Sequence, residues 1–265
     1  MSRCGPTNET YRDYRQRFID EKKEYPELMN SDRSQQCRWH EYSSMSLLEE
    51  AAVGAILDSA AASIQERGRF NLVLAGGSTP REIYRKLREV PTDWSLWHIY
   101  FGDERCMPPT EEELNSYMAG EAWLDHVPIP PAQVHIIPSG PRADKAADAY
   151  AQNLRGVGIF DLTLLGLGKD GHTASLFPGN DWGLATDSPD TLAVFNSPIR
   201  PPQRVSLSAN RLNHSRRVIF LVSGESKHEA VARWRAGENV PARAITGEAG
   251  VDVLVESSLL SPRRD

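Results

Sequence analysis

Residues 159–179 read IFDLTLLGLGKDGHTASLFPG, an apolar run that continues directly into a glycine-rich loop. The run 159–165 is predicted to form a buried strand, and the glycines after it let the backbone turn sharply beside Asp170 and His172. In α/β proteins the end of a strand is where reactive groups meet a ligand. Histidine exchanges protons readily near neutral pH, so His172 is the candidate acid–base group.

The composition is that of an ordinary globular protein, with 40% hydrophobic and 25% charged residues in a chain of 265. A net charge of −6 argues against broad binding to nucleic acid or to an acidic membrane, although a few local cations suffice for an anionic ligand. No apolar run is long enough to span a bilayer, and the first residues lack the apolar core of a signal peptide. Three cysteines without metal-binding spacing (Cys4, Cys37 and Cys106) favour a reduced compartment, and the expected location is the cytoplasm.

Residues 1–38 are predicted to be an N-terminal extension, disordered or loosely docked. They are polar, balanced in charge and poor in aliphatic side chains. An N-terminal DNA-binding module is the alternative, and it is disfavoured because the acids match the bases and there is little core. Residues 39–265 are predicted to form a single domain.

Within that domain, predicted strands and helices alternate. A strand near 38–42 precedes a helix with a capping box from Ser46 to Glu49 and a stop at Gly68. Further strands are predicted at 70–75, 97–101, 134–137, 159–165, 204–208, 218–222 and 251–255, with helices from about 80, over 142–154 and over 224–236. This alternation predicts a doubly wound, mostly parallel α/β sheet with helices on both faces.

The first glycine-rich turn, Gly76-Gly77-Ser78-Thr79-Pro80, leads from a strand into a helix. Thr79 can cap that helix and Pro80 suits its first turn. The free amides of a helix N-terminus, with the two hydroxyls beside them, form an anion site. A tight structural turn is the plain alternative, because the sequence is neither a GxGxxG fingerprint nor a P-loop.

Charged residues follow other predicted strands. Arg105 can clamp a phosphate or carboxylate, and Asp103 can orient a base or bind sugar hydroxyls. Arg204 and Lys227 are further candidates for covering a phosphate, although solvated surface charge is the commoner fate of such residues.

A carboxylate beside a catalytic histidine holds the imidazole in one tautomer. Spacing alone leaves Asp170 and Asp103 both open as the partner of His172. No grouping of histidines, cysteines and carboxylates has convincing metal-binding spacing.

Taken in order, these motifs resemble the 6-phosphogluconolactonase family, which shares a superfamily with glucosamine-6-phosphate isomerase/deaminase. The likeness covers about residues 39–260 and implies a Rossmann-like fold of the phosphosugar-isomerase type. It is carried by residues 74–80, 101–105, 115–117, 165–179, 201–207 and 221–227. Deaminases have a sequence similar to Asp-Glu-Tyr where this chain has Asp103-Glu104-Arg105. They have a glutamate at the position of Phe177. A phenyl ring cannot transfer protons, so the lactonase branch is preferred to the deaminase. A non-catalytic sugar-phosphate sensor is opposed by the presence of Asp170 and His172 and by the lack of a credible DNA-binding module.

The resemblance implies hydrolysis of 6-phospho-D-glucono-1,5-lactone to 6-phosphogluconate in the oxidative pentose phosphate pathway. His172 would be the general base, tuned by Asp170 or Asp103, without metal or cofactor. The expected partner is the small sugar-phosphate lactone, and no binding to nucleic acid or membrane is expected. The protein is expected to be a monomer or a weak homo-oligomer. The residues expected to bind the phosphate or the developing oxyanion are Gly76, Gly77, Ser78, Thr79, Arg105, Gly168, Gly171, Arg204 and Lys227.

Overall fold

The computed structural model describes residues 35–108 and 111–261. Their regular elements are ten strands and six α-helices joined by short 3₁₀ turns. The strands are β1 (Cys37–Tyr42), β2 (Phe70–Leu74), β3 (Trp97–Phe101), β4 (Asp103–Arg105), β5 (Val134–His135), β6 (Phe160–Gly166), β7 (Thr191–Val194), β8 (Arg204–Leu207), β9 (Ser215–Val222) and β10 (Val251–Glu256). The helices are α1 (Met45–Arg67), α2 (Ser78–Leu87), α3 (Asn115–Ala122), α4 (Ala143–Asn153), α5 (Ala209–Asn213) and α6 (His228–Arg235).

Seven strands form one wholly parallel sheet in the order β1-β10-β9-β6-β2-β3-β5. The central strands read as near-continuous apolar runs, and every residue of β2 and all but the last of β6 are buried. Strands buried on both faces are typical of a sheet covered by helices on each side. The predicted α/β class and parallel sheet are confirmed.

The strand order reverses between β2 and β6. After β2 the chain adds β3 and β5 on one side, and then returns to add β6, β9 and β10 on the other. In open α/β sheets this switch point opens a crevice at the carboxyl ends of the strands, where ligands bind. The loops that follow β2 and β6 contain the two glycine-rich motifs.

A second, three-stranded antiparallel sheet in the order β4-β8-β7 was not predicted. The segment at 204–208 was expected in the parallel sheet, but β8 pairs with β4 and places Asp103 opposite Ser206 and Arg105 opposite Arg204. Gly102 joins the two sheets, because its N–H donates to Leu74 of β2 and its carbonyl accepts from Leu207 of β8. Residues that follow β3 are thereby brought beside β8.

Helix α1 begins earlier than its predicted capping box. Ser44 is the N-cap and accepts from the N–H of Leu47, whereas Ser46 lies within the first turn and donates to Glu50. The predicted stop is confirmed: Gly68 adopts φ 72°, a left-handed conformation that favours glycine, and its N–H donates to Ile64.

The N-terminal edge of the sheet is β1, which begins at Cys37, two residues before the expected domain start at 39. Gln35 packs with the same domain: its side-chain amide donates to the carbonyls of Ala242 and Ile245 and accepts from the indole of Trp234. The rest of the predicted N-terminal extension, residues 1–34, lies outside the described residues. Among the residues that are described, no helix is long and apolar enough to cross a membrane.

Candidate active site

Loops from adjacent strands converge at the carboxyl edge of the parallel sheet. A Cβ built on Gly166, at the end of β6, would lie 4.0 Å from the carbonyl oxygen of Gly76, after β2. Beside them the hydroxyl of Thr79 is 2.7 Å from that of Ser223, which follows β9. The crevice at the switch point is therefore walled by the predicted motifs.

His172 is paired with Asp170, so the alternative partner, Asp103, is not the one that the structure brings to the imidazole. Nδ1 of His172 lies 2.5 Å from Asp170 Oδ1, which also accepts the backbone N–H of His172 at 3.1 Å. Burial acts to raise the pKa of Asp170, but the imidazole and its hydrogen bonds outweigh burial and hold that pKa below its usual range. An ionised carboxylate at Nδ1 leaves Nε2 as the nitrogen that can accept a proton.

The glycines at 168 and 171 shape this loop. A Cβ on Gly168 would lie 2.0 Å from His172 Nδ1, so only glycine leaves room for the imidazole. Gly171 adopts φ +88°, and its Cβ would lie 2.8 Å from Val240. The N–H of Gly168 donates to the carbonyl of His172 and that of Gly171 donates to the carbonyl of Gly168, so these two amides hold the loop in shape. Oxyanion binding by amides in the segment 168–171 stays a prediction.

Asp103 lies in a separate buried network. Its carboxylate accepts from the hydroxyl of Ser175 at 2.6 Å on Oδ2 and from Asn115 Nδ2 at 3.1 Å on Oδ1. Asn115 also donates to the Asp103 carbonyl, at 2.9 Å. Gly76 makes room for this asparagine, because a Cβ there would lie 2.0 Å from Asn115 Oδ1. Asp103 is thus held between the turn after β2 and the histidine loop.

Glu104 fixes the backbone from which Asn115 reaches Asp103. Its buried carboxylate accepts from the backbone N–H groups of Arg105, Asn115 and Ser116, at 2.8–2.9 Å. Burial is the larger effect and raises the pKa of Glu104, although these hydrogen bonds act in the opposite direction. The result is a fixed start for α3, from which the Asn115 side chain reaches Asp103.

Phe177 contacts both His172 and Arg204. The centroid of its ring lies 4.7 Å from that of the His172 ring and 5.8 Å from the guanidinium carbon of Arg204. The phenyl side chain is 1% exposed. It brings no ionisable group to the histidine.

The two candidate arginines are partly committed elsewhere. Arg204 is 5% exposed and donates to the carbonyls of residues 199–201, at 2.9–3.3 Å. Arg105, opposite it on β4, donates through Nη1 to the carbonyl of Glu113, while its buried Nε has no hydrogen-bond partner among the described residues. The two arginines are therefore paired across β4 and β8, and Arg204 lies near Phe177.

Lys227 lies near Asp170 and Lys169. Burial and the neighbouring charge of Lys169 lower the pKa of Lys227, and Asp170 acts in the opposite direction. In the described part of the chain its ammonium group makes no hydrogen bond or ion pair. Two lysines near one carboxylate give this side of the crevice an excess of positive charge.

The start of α2 reaches the segment that carries Lys227, because Thr79 pairs with Ser223. Gly77 is its N-cap, with φ +110°, and the exposed Ser78 opens the helix. Thr79 was predicted to cap α2, but no side chain does so and its hydroxyl pairs with Ser223 instead. The first amides of a helix have no partner within it, so they can receive an anion.

Sequence reasoning assigned no role to Ser175, Asn115, Glu104, Lys169 or Ser223. Ser175 and Asn115 lay inside quoted motifs, but their contacts join segments 72 and 12 residues apart. In the described ranges no group of three or more histidines, cysteines and carboxylates is arranged to hold a metal ion.

The sequence model described as glucosamine-6-phosphate isomerases/6-phosphogluconolactonase matches residues 43–254. The chain belongs to this family. The match spans α1 through most of β10, so it includes both glycine-rich motifs and the lysine after β9.

Two relatives and one solved structure to which the chain is similar are named 6-phosphogluconolactonases. The chain is 38% identical over 216 residues to the 6-phosphogluconolactonase of Mycobacterium leprae, an alignment covering 74% of this chain and 87% of that one. It is 37% identical over 205 residues to the chloroplastic 6-phosphogluconolactonase 3 of Arabidopsis thaliana, covering 69% and 62%. The crystal structure of 6-phosphogluconolactonase from Thermotoga maritima superposes with a TM-score of 0.75 at 27% identity, covering 83% of this chain and 99% of that one.

Proposed function

We propose that the protein hydrolyses 6-phospho-D-glucono-1,5-lactone to 6-phospho-D-gluconate, in the oxidative pentose phosphate pathway. The observation that carries the proposal is the His172–Asp170 pair at the switch-point crevice, with Nε2 left to accept a proton and cations beside it. The 6-phosphogluconolactonases at 34–38% identity support this substrate.

The chemistry needs one activated water. Nε2 of His172 removes a proton from water as its oxygen attacks the lactone carbonyl carbon, and Asp170 stabilises the imidazolium that forms. The tetrahedral intermediate then collapses, the bond from the carbonyl carbon to the ring oxygen breaks, and the imidazolium returns its proton to that oxygen. The products are a free hydroxyl and a carboxylic acid, which ionises near neutral pH.

Binding of the phosphate is assigned to the start of α2. The amides of Ser78 and Thr79 meet the positive end of the helix dipole there, and Lys227 supplies the cation. Lys227 is favoured over Arg204 because the three donor contacts of Arg204 go to backbone carbonyls. Asp103 is left to accept hydrogen bonds from the sugar hydroxyls, since His172 already has Asp170.

Phe177 favours hydrolysis over isomerisation. A deaminase needs a second acid–base group for ring opening and proton shuttling, and here a buried phenyl ring lies against the histidine. An apolar neighbour helps to exclude stray water and leaves one proton-transfer group. The proposed mechanism uses no cofactor. Location in the cytoplasm and a monomeric or weakly oligomeric state remain predictions.

The test is a coupled assay in which the lactone is generated in situ and 6-phosphogluconate is followed. We expect the pure protein to exceed spontaneous hydrolysis clearly, and His172→Ala to lose about 10²- to 10⁴-fold in kcat. His126→Ala, at an exposed histidine, serves as the matched control and keeps full activity. No rate above the spontaneous one refutes the function, whereas an active His172→Ala refutes only the assigned base.

A further inference from the structure

Asp103 and the histidine loop are joined by one short side-chain hydrogen bond. Ser175 is three residues after His172, and its hydroxyl donates to Asp103 Oδ2 at 2.6 Å. Both side chains are buried, with Ser175 1% and Asp103 7% exposed. A buried hydrogen bond to an ionised group is stronger and more directional than one at the surface.

Asp103 is fixed on its other side by a rigid element. Asn115 donates to Oδ1 and to the carbonyl of Asp103, and Glu104 in turn holds the start of α3 through the N–H groups of residues 115 and 116. The sheet side of this network therefore has little freedom. The loop carrying Ser175 and His172 is joined to this network through the Ser175 hydroxyl.

We propose that Ser175 is a positioning residue, which acts through Asp103 to set the loop of His172 relative to the carboxylate that binds the sugar. The backbone N–H of Ser175 donates to Ser206 Oγ at 3.2 Å, so β8 steadies the same residue from behind. The substrate hydroxyls that bind Asp103 and the carbonyl attacked by the water that His172 activates thus belong to one connected frame. Small displacements of such a frame are costly, because the reacting atoms must be aligned closely.

A second hydroxyl in the same loop has a different task. Thr173 is also 1% exposed, but its hydroxyl donates to the backbone carbonyl of Gly166, at 2.9 Å. It ties the loop to the end of β6 without touching Asp103. Thr173→Val is therefore a matched control for a loop hydroxyl with a purely structural contact.

The experiment is a double-mutant cycle between Ser175→Ala and Asp103→Ala. Both kcat/KM for lactone hydrolysis and the Kd for 6-phosphogluconate are measured. If Ser175 acts through Asp103, Ser175→Ala costs about tenfold in kcat/KM when Asp103 is present and less than about twofold when it is absent. Thr173→Val should cost the same factor in both backgrounds.

Equal losses from Ser175→Ala in both backgrounds, or no loss in either, overturn the proposal. Ser175→Cys retains the volume with a weak donor, so it should reproduce the loss if Ser175→Ala fails to fold. The kinetic readout rests on the lactonase function proposed above. If the wild-type protein hydrolyses no lactone, that function fails, and the coupling is then judged on the Kd for 6-phosphogluconate alone.

Discussion

The carboxylate of Asp170 accepts hydrogen bonds from the ring Nδ1 and from the backbone N–H of His172, two residues later in the same loop. This double contact fixes the imidazole and its tautomer with one short-range partner. The Asp103 network, by contrast, spans three segments of chain. The two carboxylates that the sequence left interchangeable therefore have separate tasks.

Asp170→Asn should lower kcat by about 10²-fold or more, with a smaller change in KM, because the amide no longer stabilises the imidazolium. The folded-state pKa of Asp170 is lowered, so its carboxylate is ionised at and above its ordinary range and the defect persists across neutral pH. Steady-state kinetics at about five pH values between pH 6 and pH 8 would show whether the defect persists. Asp58→Asn, at an exposed position on α1, is the control. Equal kcat in Asp170→Asn and wild type would contradict the assignment.

Gly168→Ala should remove most activity while the protein stays folded. The added Cβ would fall 2.0 Å from His172 Nδ1, so the ring must leave its place beside Asp170. The control is Gly54→Ala, at an exposed position on α1 where an added Cβ meets nothing within 4 Å. That change should keep activity and raise the free energy of unfolding by about 0.5–1 kcal/mol. Assays and thermal melts of both variants decide; an active Gly168→Ala speaks against this ring position.

Lys227→Ala should weaken binding of 6-phosphogluconate by about ten- to a hundredfold, since a hydrogen bond to a charged group is lost. Binding of gluconate, which has no phosphate, should not change. Calorimetric titration of both ligands measures the two effects. A loss of the same size for both ligands would place Lys227 elsewhere in the site.

The same lysine predicts a pH dependence. Its pKa is lowered by burial and by Lys169, and only the ammonium form attracts the phosphate. Affinity should therefore be greatest below the Lys227 pKa and fall as pH rises through it, at lower pH than for an exposed lysine. Lys227→Ala should flatten this alkaline limb. An unchanged limb in the variant assigns the dependence to another group.

The parallel sheet was predictable because its strands are apolar runs that end in glycine-rich turns. The strand at 97–101 was predicted to the residue, and the stop of α1 at Gly68 follows from its conformation. The short strand β4 was not predictable, since Asp103-Glu104-Arg105 has no strand character of its own. It is a strand because β8, a hundred residues later, pairs with it.

The site was predictable in its parts and not in its contacts. His172 and Asp170 are neighbours in sequence, so a local argument was enough to suggest the pair. The partners of Asp103 were hidden, because no pattern indicates that Gly76 leaves space for Asn115. The loop hydrogen bonds of Gly168 and Gly171 were hidden for a related reason: a tight glycine loop uses its own amides to hold its shape.

Asp252 predicts how the sheet edge responds to acid. This buried carboxylate accepts from Arg38 and His40 on Oδ1, both at 2.8 Å, and from Arg217 on Oδ2 at 3.0 Å. Burial acts to raise its pKa, but these bonds outweigh burial and lower it far below the usual range. Because the folded-state pKa is depressed, the stabilisation is complete above the ordinary Asp range, near pH 4, and is lost as pH falls below it. Asp252→Asn should cost roughly 3 kcal/mol at neutral pH.

Urea unfolding as a function of pH separates this effect from a general loss of packing. The wild-type free energy of unfolding should fall below about pH 4, whereas Asp252→Asn should show a shallower fall, because the group that titrates is gone. Asp58→Asn, exposed on α1, should follow the wild-type curve. Parallel curves for wild type and Asp252→Asn would mean that other groups control the acid response.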